Sequence, residues 1–277
     1  MAQEPTPAAA AKVSISAVAI CRNEEDDLPG LIANLMDWVD ELIVIDDESD
    51  DHSQEILDAA GVKVRCIVQP MTEEGYAGQR NAGIAQAKGD WLLHMDCDER
   101  VPTTLRQEIL QRIAETQLNG FRYRRLNFFL QRPILRGGWS SWNNPQLARR
   151  GMHRFEGVLH ERCVIEGGEA LTGQLVNKML HLNDASFAER LEKSNRYVAI
   201  NAQRDLDAGK PVNGPRILGA TCAAFLKRYI LQKGFLDGTV GLIAAMHAAT
   251  AVFRERALVW DRQNAIPRSQ LESLARE

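Results

Sequence analysis

Four apolar runs punctuate the first hundred residues, and helical segments separate them. VSISAVAI opens at Val13 and is rich in β-branched side chains, the signature of a strand buried on both faces. ELIVIDD, VKVRCIVQP and DWLLHMD follow. Between the first two, LPGLIANLMDWVD sets Leu28, Leu31, Ile32, Leu35 and Val39 at helical spacing. SQEILDAAG reads as a short helix with Ser53 as N-cap and Gly61 as stop, and AGQRNAGIAQAKG as a helix stopped by Gly89. Strands that alternate with helices bury themselves as a parallel sheet covered by helices, so the expected class is α/β.

After a further helix in VPTTLRQEILQRIAETQ the pattern changes. GFRYRRLNFFL, PQLARRG and HERCVIEGG read as strands and loops with many arginines, and from Ala185 onward the chain reads as helical with no further strand. A chain of 277 residues, 45% hydrophobic, suffices for one large domain or one domain with an appendage. The expected division is a disordered tail over 1–12, a catalytic-type α/β domain over 13–184 and a helical region over 185–277. MAQEPTPAAAAK lacks a basic start followed by an apolar core, so it does not read as a secretory signal. Five scattered cysteines without a Cys-x-x-Cys pair argue against a disulfide framework or a structural zinc site, and fit a reducing cytosol. A net charge of −4 gives no general case for nucleic acid as a partner.

Ligands of parallel α/β sheets bind beyond the carboxyl ends of the strands. CRNEED, DDESDD and DCDE fall at three such ends. Clustered carboxylates repel one another unless a cation or proton intervenes. Asp96 and Asp98 lie two apart, so on extended backbone they share a side and Cys97 takes the other. Two oxygen donors on one side suit Mn2+ or Mg2+ bridging to a phosphate. The alternative is a solvated acidic turn that caps the next helix, and Asp46 and Asp47 carry the same two readings. No G-x-G-x-x-G or P-loop follows the first strand, which excludes the common dinucleotide and nucleoside-triphosphate cradles. A phosphohydrolase or receiver domain would carry its key acids after the first strand, whereas here D-x-D follows the fourth.

ICRNEEDDLPGLI, ELIVIDDESDD, GQRNAGIAQAKGDWLLHMDCDERV and FEGVLHERCVIEGG, in that order, resemble a family 2 glycosyltransferase of the GT-A fold. LHERC, LEKSNRY and KGFLDGTVGLIAA more narrowly resemble the bacterial lipopolysaccharide-core β-1,4-glucosyltransferase branch. The resemblance implies a mostly parallel sheet with helices on both faces, plus a C-terminal helical segment that associates with membrane. It implies an inverting transfer of a hexose, glucose from UDP-glucose, to a heptose of the lipopolysaccharide inner core. Other readings are a transferase for another cell-surface polysaccharide, or a non-catalytic nucleotide-sugar-binding protein.

Residue by residue, the resemblance makes Asp47 the reader of the uracil imide. Arg80 lies near base and phosphates, and Arg22 and Asn23 sit in the loop that touches base and ribose. Asp98 becomes the main metal ligand, with Asp96 near ribose or metal and His181 a further ligand. Glu161 is the base for the acceptor hydroxyl, Glu156 the runner-up and Asp184 next. Trp142 or Trp139 stacks on the acceptor or serves as a core anchor, and Arg149 is a candidate phosphate contact. His94, inside its strand, reads as a satisfied core histidine.

In the C-terminal region the apolar run Gly241–Phe253 is shorter than the roughly 20 residues needed to span a bilayer. Apolar helices flanked by Lys227, Arg228, Lys233, Arg254 and Arg256 fit a segment lying on anionic lipid, or a helix packed on the domain or on a second copy. The resemblance favours the lipid, which places the protein in the cytoplasm on the inner face of the inner membrane.

Overall fold

The computed structural model describes residues 13–158, 161–184 and 186–274; the expected tail over 1–12 lies outside these. The described residues divide into two units, 13–126 with 142–181, and 127–141 with 182–274. The second unit therefore recruits a segment that the sequence boundary at 184 had left in the first.

In the first unit, β1 (Ile15–Cys21) is flanked by β2 (Glu41–Asp46) and β4 (Trp91–Asp96), and β2 by β3 (Val64–Val68), all parallel. The path continues from β4 to β8 (Asn143–Arg149), β6 (Gly120–Phe129), β11 (Thr172–His181) and the short β5 (Glu99–Arg100). β8 runs antiparallel to β4 and to β6, and β5 antiparallel to β11, so the sheet as a whole is mixed, parallel from β3 to β4 and antiparallel in these pairs beyond it. β9 (His153–Glu156) and β10 (Arg162–Ile165) form a separate hairpin.

Alternate side chains of the buried strands feed two cores. Ala17, Ala19, Leu42, Val44, Leu93 and Met95 pack with α1 (Leu28–Leu35), α2 (Ser53–Ala59) and α4 (Thr103–Glu115). Val18, Ile43, Ile45 and Leu92 face Ala82 and Ile84 of α3 (Gly75–Gln86). Helices thus cover both faces, and the chain changes face between β1 and β4, the crevice where such sheets bind ligands. α3 lies so close to the sheet that a Cβ on Gly83 would stand 2.3 Å from Val18 Cγ1.

Two local expectations fail. Ser53 is the first helical residue of α2 rather than its cap, and its hydroxyl accepts from the Glu24 N–H at 2.9 Å. α3 ends at Gln86, and Gly89 is required by space instead of by helix termination: a Cβ there would stand 2.5 Å from the Ser16 nitrogen. The ten-residue strand β11 was not foreseen, because its sequence TGQLVNKMLH buries only Leu175 and Met179.

In the second unit, β7 (Arg132–Ile134) pairs with the end of β6. Helices α5 (Phe187–Asp207), α6 (Gly214–Leu226), α7 (Gly238–Asn264) and α8 (Arg268–Leu274) follow, with no strand among the described residues. α6 runs into a five-residue π-turn, Lys227–Leu231. α7 corrects the length inferred from the apolar run: it continues through Arg254 and Arg256 for 27 residues. Gly234–Asn264 is long and apolar enough to cross a membrane by length and composition, and only 28% of its most apolar window is buried.

Candidate active site

The register of the parallel strands aligns the acids. Cys21 stands opposite Asp46 and Ile20 opposite Asp96, so the ends of β1, β2 and β4 lie at one edge. Asp46, fully buried, ties down the turn after β2 by accepting from Ser49 N at 3.0 Å and Gln54 Nε2 at 2.8 Å. Asp47 faces the edge. Its Oδ2 accepts from Arg22 at 2.6 Å and its Oδ1 from the Met71 N–H at 2.6 Å. Each oxygen keeps a further lone pair. The hydrogen bond to Asp47 holds the exposed Arg22 guanidinium above its ordinary pKa. Asn23, at φ +57°, exchanges hydrogen bonds with Asp50, Nδ2 to Oδ1 at 2.6 Å and N to Oδ1 at 2.9 Å.

At the end of β4 the chain turns so that Asp96 and Asp98 share a side while Cys97 enters the core, its Sγ 3.3 Å from the Ile20 carbonyl. β11 pairs with β5 so that His181 stands opposite Glu99, which carries the His181 Nε2 to 3.2 Å from Asp98 Oδ2. One ligand atom from each of Asp96, Asp98 and His181 lies within 4.8 Å of the others. Two carboxylates and an imidazole form a donor set that can hold a divalent cation; the carboxylates suit Mn2+ or Mg2+, whereas imidazole suits softer first-row ions.

Behind them lies a buried ionic chain. Arg80, on α3, donates to Asp96 Oδ1 at 2.5 Å and to Glu161 Oε1 at 3.2 Å, with its guanidinium 5.4 Å from the Phe155 ring centre. It is buried between acids, not a helix-surface arginine. Arg125, on β6, donates to Asp96 Oδ2 at 2.6 Å and Glu99 Oε1 at 2.6 Å. Burial pushes the Asp96 pKa up, but Arg125 and Arg80 outweigh it and hold the carboxyl below its usual range. For Glu99 burial wins over Arg125, and its carboxyl is raised. For Arg125 burial works downward, but Glu99 and Asp96 hold it well above its ordinary value.

Arg125 and Glu99 were missed as site residues. The signal was there: in GFRYRRLNFF, Tyr123 and Arg125 share one face at period two, and an arginine on a strand's buried face needs acids. Trp142 lies over Arg125, 3.9 Å from guanidinium to ring centre, and against Tyr123. Trp139 belongs to the second unit and packs on Phe129 and Arg190.

Three candidates have other partners. Arg149 stands opposite Trp91, at the start of β4 and thus the far end from Asp96, and donates to the Thr116 carbonyl at 3.1 Å. Strand direction explains the failure: an antiparallel β8 carries its last residue away from the edge. Glu156 is a half-exposed acid paired with Arg154 at 2.6 Å and Arg162 at 3.6 Å. Asp184, in the second unit, pairs with Arg190 at 2.9 Å and Lys193 at 3.7 Å. His94 is not fully satisfied either. Its Nε2 meets His153 Nε2 at 2.8 Å and its buried Nδ1 has no partner among the described residues, while burial and His153 hold its pKa well below the usual value.

The family model for glycosyl transferase family 2 matches residues 16–164. The chain belongs to this family. The lipopolysaccharide core biosynthesis glycosyltransferase LpsC of Rhizobium meliloti is 30% identical over 265 residues, 91% of this chain and 93% of that protein. An uncharacterized glycosyltransferase of Rickettsia felis is 25% identical over 92% of this chain and 94% of its own. The structure of S. aureus TarS 1-349 in complex with UDP-GlcNAc aligns at 14% identity and a TM-score of 0.48, covering 90% of this chain and 91% of that one. The acid-rich edge of this glycosyltransferase therefore lies within the matched segment, apart from His181, which follows it.

Proposed function

We propose that this glycosyltransferase performs an inverting transfer of glucose from UDP-glucose to a heptose of the lipopolysaccharide core, on the cytoplasmic face of the inner membrane. The core acceptor is supported by the likeness to LpsC along nearly the whole chain. The chemistry rests on one observation: Asp96, Asp98 and His181 converge at the end of β4, and Arg80 joins Asp96 to Glu161.

Asp98, His181 and Asp96 would hold Mn2+ or Mg2+, which when bound supplies charge neutralisation for the departing diphosphate. Asp47 offers a carboxylate oxygen to the uracil imide, with Arg22 and Asn23 beside it in the loop after β1. Arg80 holds Glu161 in place, and Glu161 accepts the proton of the acceptor hydroxyl as that oxygen attacks the anomeric carbon. Trp142, braced on Arg125, presents a ring face on which a sugar can stack. The apolar, basic second unit carries the membrane contact.

The test is a donor and acceptor screen on the purified protein, with Mn2+, Mg2+ or chelator and with truncated lipopolysaccharide acceptors. Transfer from UDP-glucose that stops with chelator and in Asp98→Asn is expected. Glu161→Gln should lose about 10²–10⁴-fold in turnover with donor affinity nearly unchanged. Full turnover in Asp98→Asn or Glu161→Gln would remove that residue from its role, and transfer to a different polysaccharide would replace the acceptor.

A further inference from the structure

The second unit contains a cavity of about 400 Å³ bounded by Gly138, Ser141, Lys227, Arg228, Gln232 and Ala248, among others. Its polar groups are not arranged for self-satisfaction. Arg228 is half-buried and donates to the Gly137 carbonyl at 2.8 Å, yet among the described residues neither it nor Lys227 has a carboxylate within ion-pair distance. Burial and the nearby Arg190, a like charge, both push its pKa down. A cation drawn from water without a counter-charge is costly unless an anion completes the site. Gln232 Oε1 is buried with no hydrogen-bond partner among the described residues. Ser141 Oγ donates to the Gly138 carbonyl at 3.1 Å, so its lone pairs remain for a donor. The π-turn Lys227–Leu231 supplies both cations, and such turns are frequent at functional sites.

The surroundings indicate the anion's source. From Ala208 to Leu236 the chain carries five bases and no acid. α6 is apolar from Ile217 to Leu226, yet buries none of its residues. Leu226, Ile230 and Leu231, flanking the two cations in sequence, are exposed, as is Phe253 beside the cavity residue Val252. A soluble phosphate has no use for exposed apolar flanks; a lipid headgroup brings acyl chains to cover them.

We propose that this cavity is a binding site for the glycerophosphate headgroup of an anionic phospholipid. Arg228 and Lys227 take the phosphate, the planar guanidinium offering two parallel donors. Gln232 Oε1 and Ser141 Oγ accept from the glycerol hydroxyls. This deepens the membrane reading above, which by itself requires only diffuse charge.

The test uses the full chain and vesicles of phosphatidylcholine with and without phosphatidylglycerol. Lys227→Gln/Arg228→Gln should weaken binding to phosphatidylglycerol vesicles about twenty-five-fold, two basic groups at a surface counting about fivefold each. Ala248→Phe fills the cavity without altering charge and should lose roughly tenfold, where diffuse attraction predicts no change. Phosphatidylglycerol vesicles should also slow phenylglyoxal modification of Arg228 in the unaltered protein severalfold more than that of Arg216, a readout independent of variant folding. Equal binding to both vesicle types, or Ala248→Phe at full affinity, overturns the pocket and leaves the membrane reading standing. Protection of Arg228 by free glycerol 1-phosphate without vesicle binding overturns the lipid source and the membrane reading together.

Discussion

Enclosed arginines meet opposite conditions in the two units. In the first, Arg80 and Arg125 are nearly enclosed, at 3% and 11% side-chain exposure, and each holds two carboxylates. In the second, Arg228 is half-buried with a carbonyl and another arginine for company. A closed ionic chain fixes geometry, which is what a site holding a base and a metal-ligand set requires. An open cation stores an unmet demand, which is what a site for a charged partner requires. The contrast suggests which residues act by shaping the site and which by meeting something external.

The largest break in that contrast is Arg80→Met. It leaves Asp96 with one arginine and Glu161 with none, and at 30% and 20% side-chain exposure both acids are only partly hydrated. Removing one member of a buried pair costs about 3–5 kcal/mol. Displacing Glu161 should lower turnover by at least about 10²-fold, since small misplacements of a catalytic group cost that much. Chemical denaturation and an acceptor assay on the same preparation check both. A variant as stable as the parent would mean that the chain Asp96–Arg80–Glu161 does not hold the site together.

Arg125→Met comes next, at about 1.5–3 kcal/mol, because Asp96 keeps Arg80 while Glu99 keeps only the Asp96 N–H, at 2.9 Å. The pH dependence has a definite sign. Glu99 is already raised by burial against the pull of Arg125, and loss of that arginine raises it further. An acid whose folded pKa is raised costs stability as pH climbs past its unfolded value of about 4.3 and relieves that cost when protonated. The variant should therefore lose more stability at pH 8 than at pH 5, measured by melting at both. An equal loss would mean that Glu99 is not the group left stranded.

How far the sequence reached follows the same division. The strand–helix alternation and the D-x-D were legible because burial on both faces and clustered acids each leave a local pattern. The pairing of His181 with Glu99 was not, since it depends on the register of β11, a strand with few buried apolar residues. Arg149 misled for the converse reason: its type suited phosphate, but strand direction decides which end of a sheet it reaches. The length of α7 was underread because Arg254 and Arg256 interrupt an apolar run without interrupting a helix. Their partners are neighbours on α5: Arg254 donates to Ser194 Oγ at 3.0 Å and Arg256 to Asp205 at 2.6 Å. No pattern within α7 shows that.

Asp205 supplies the smallest and most discriminating test. It is, with Asp184, one of two buried acids among the described residues of the second unit, and it pairs with Arg256 at 2.6 Å and Lys210 at 2.5 Å. Its two cations reach water at 26% and 54% side-chain exposure, against 30% and 20% for the two acids that Arg80 holds, so Lys210 above all rehydrates when the charge is removed. Asp205→Asn should cost only about 1 kcal/mol. The hydrogen bond from Lys210 leads in holding the Asp205 pKa below its usual value. A depressed carboxyl contributes stability above its unfolded pKa of about 3.9 and loses it as pH falls through the folded value. The gap between parent and variant should thus be full at pH 7 and close below about pH 4. A loss as large as that of Arg80→Met would show that the second unit also depends on enclosed charge, and the distinction between a site that is closed and one that awaits an anion would fail.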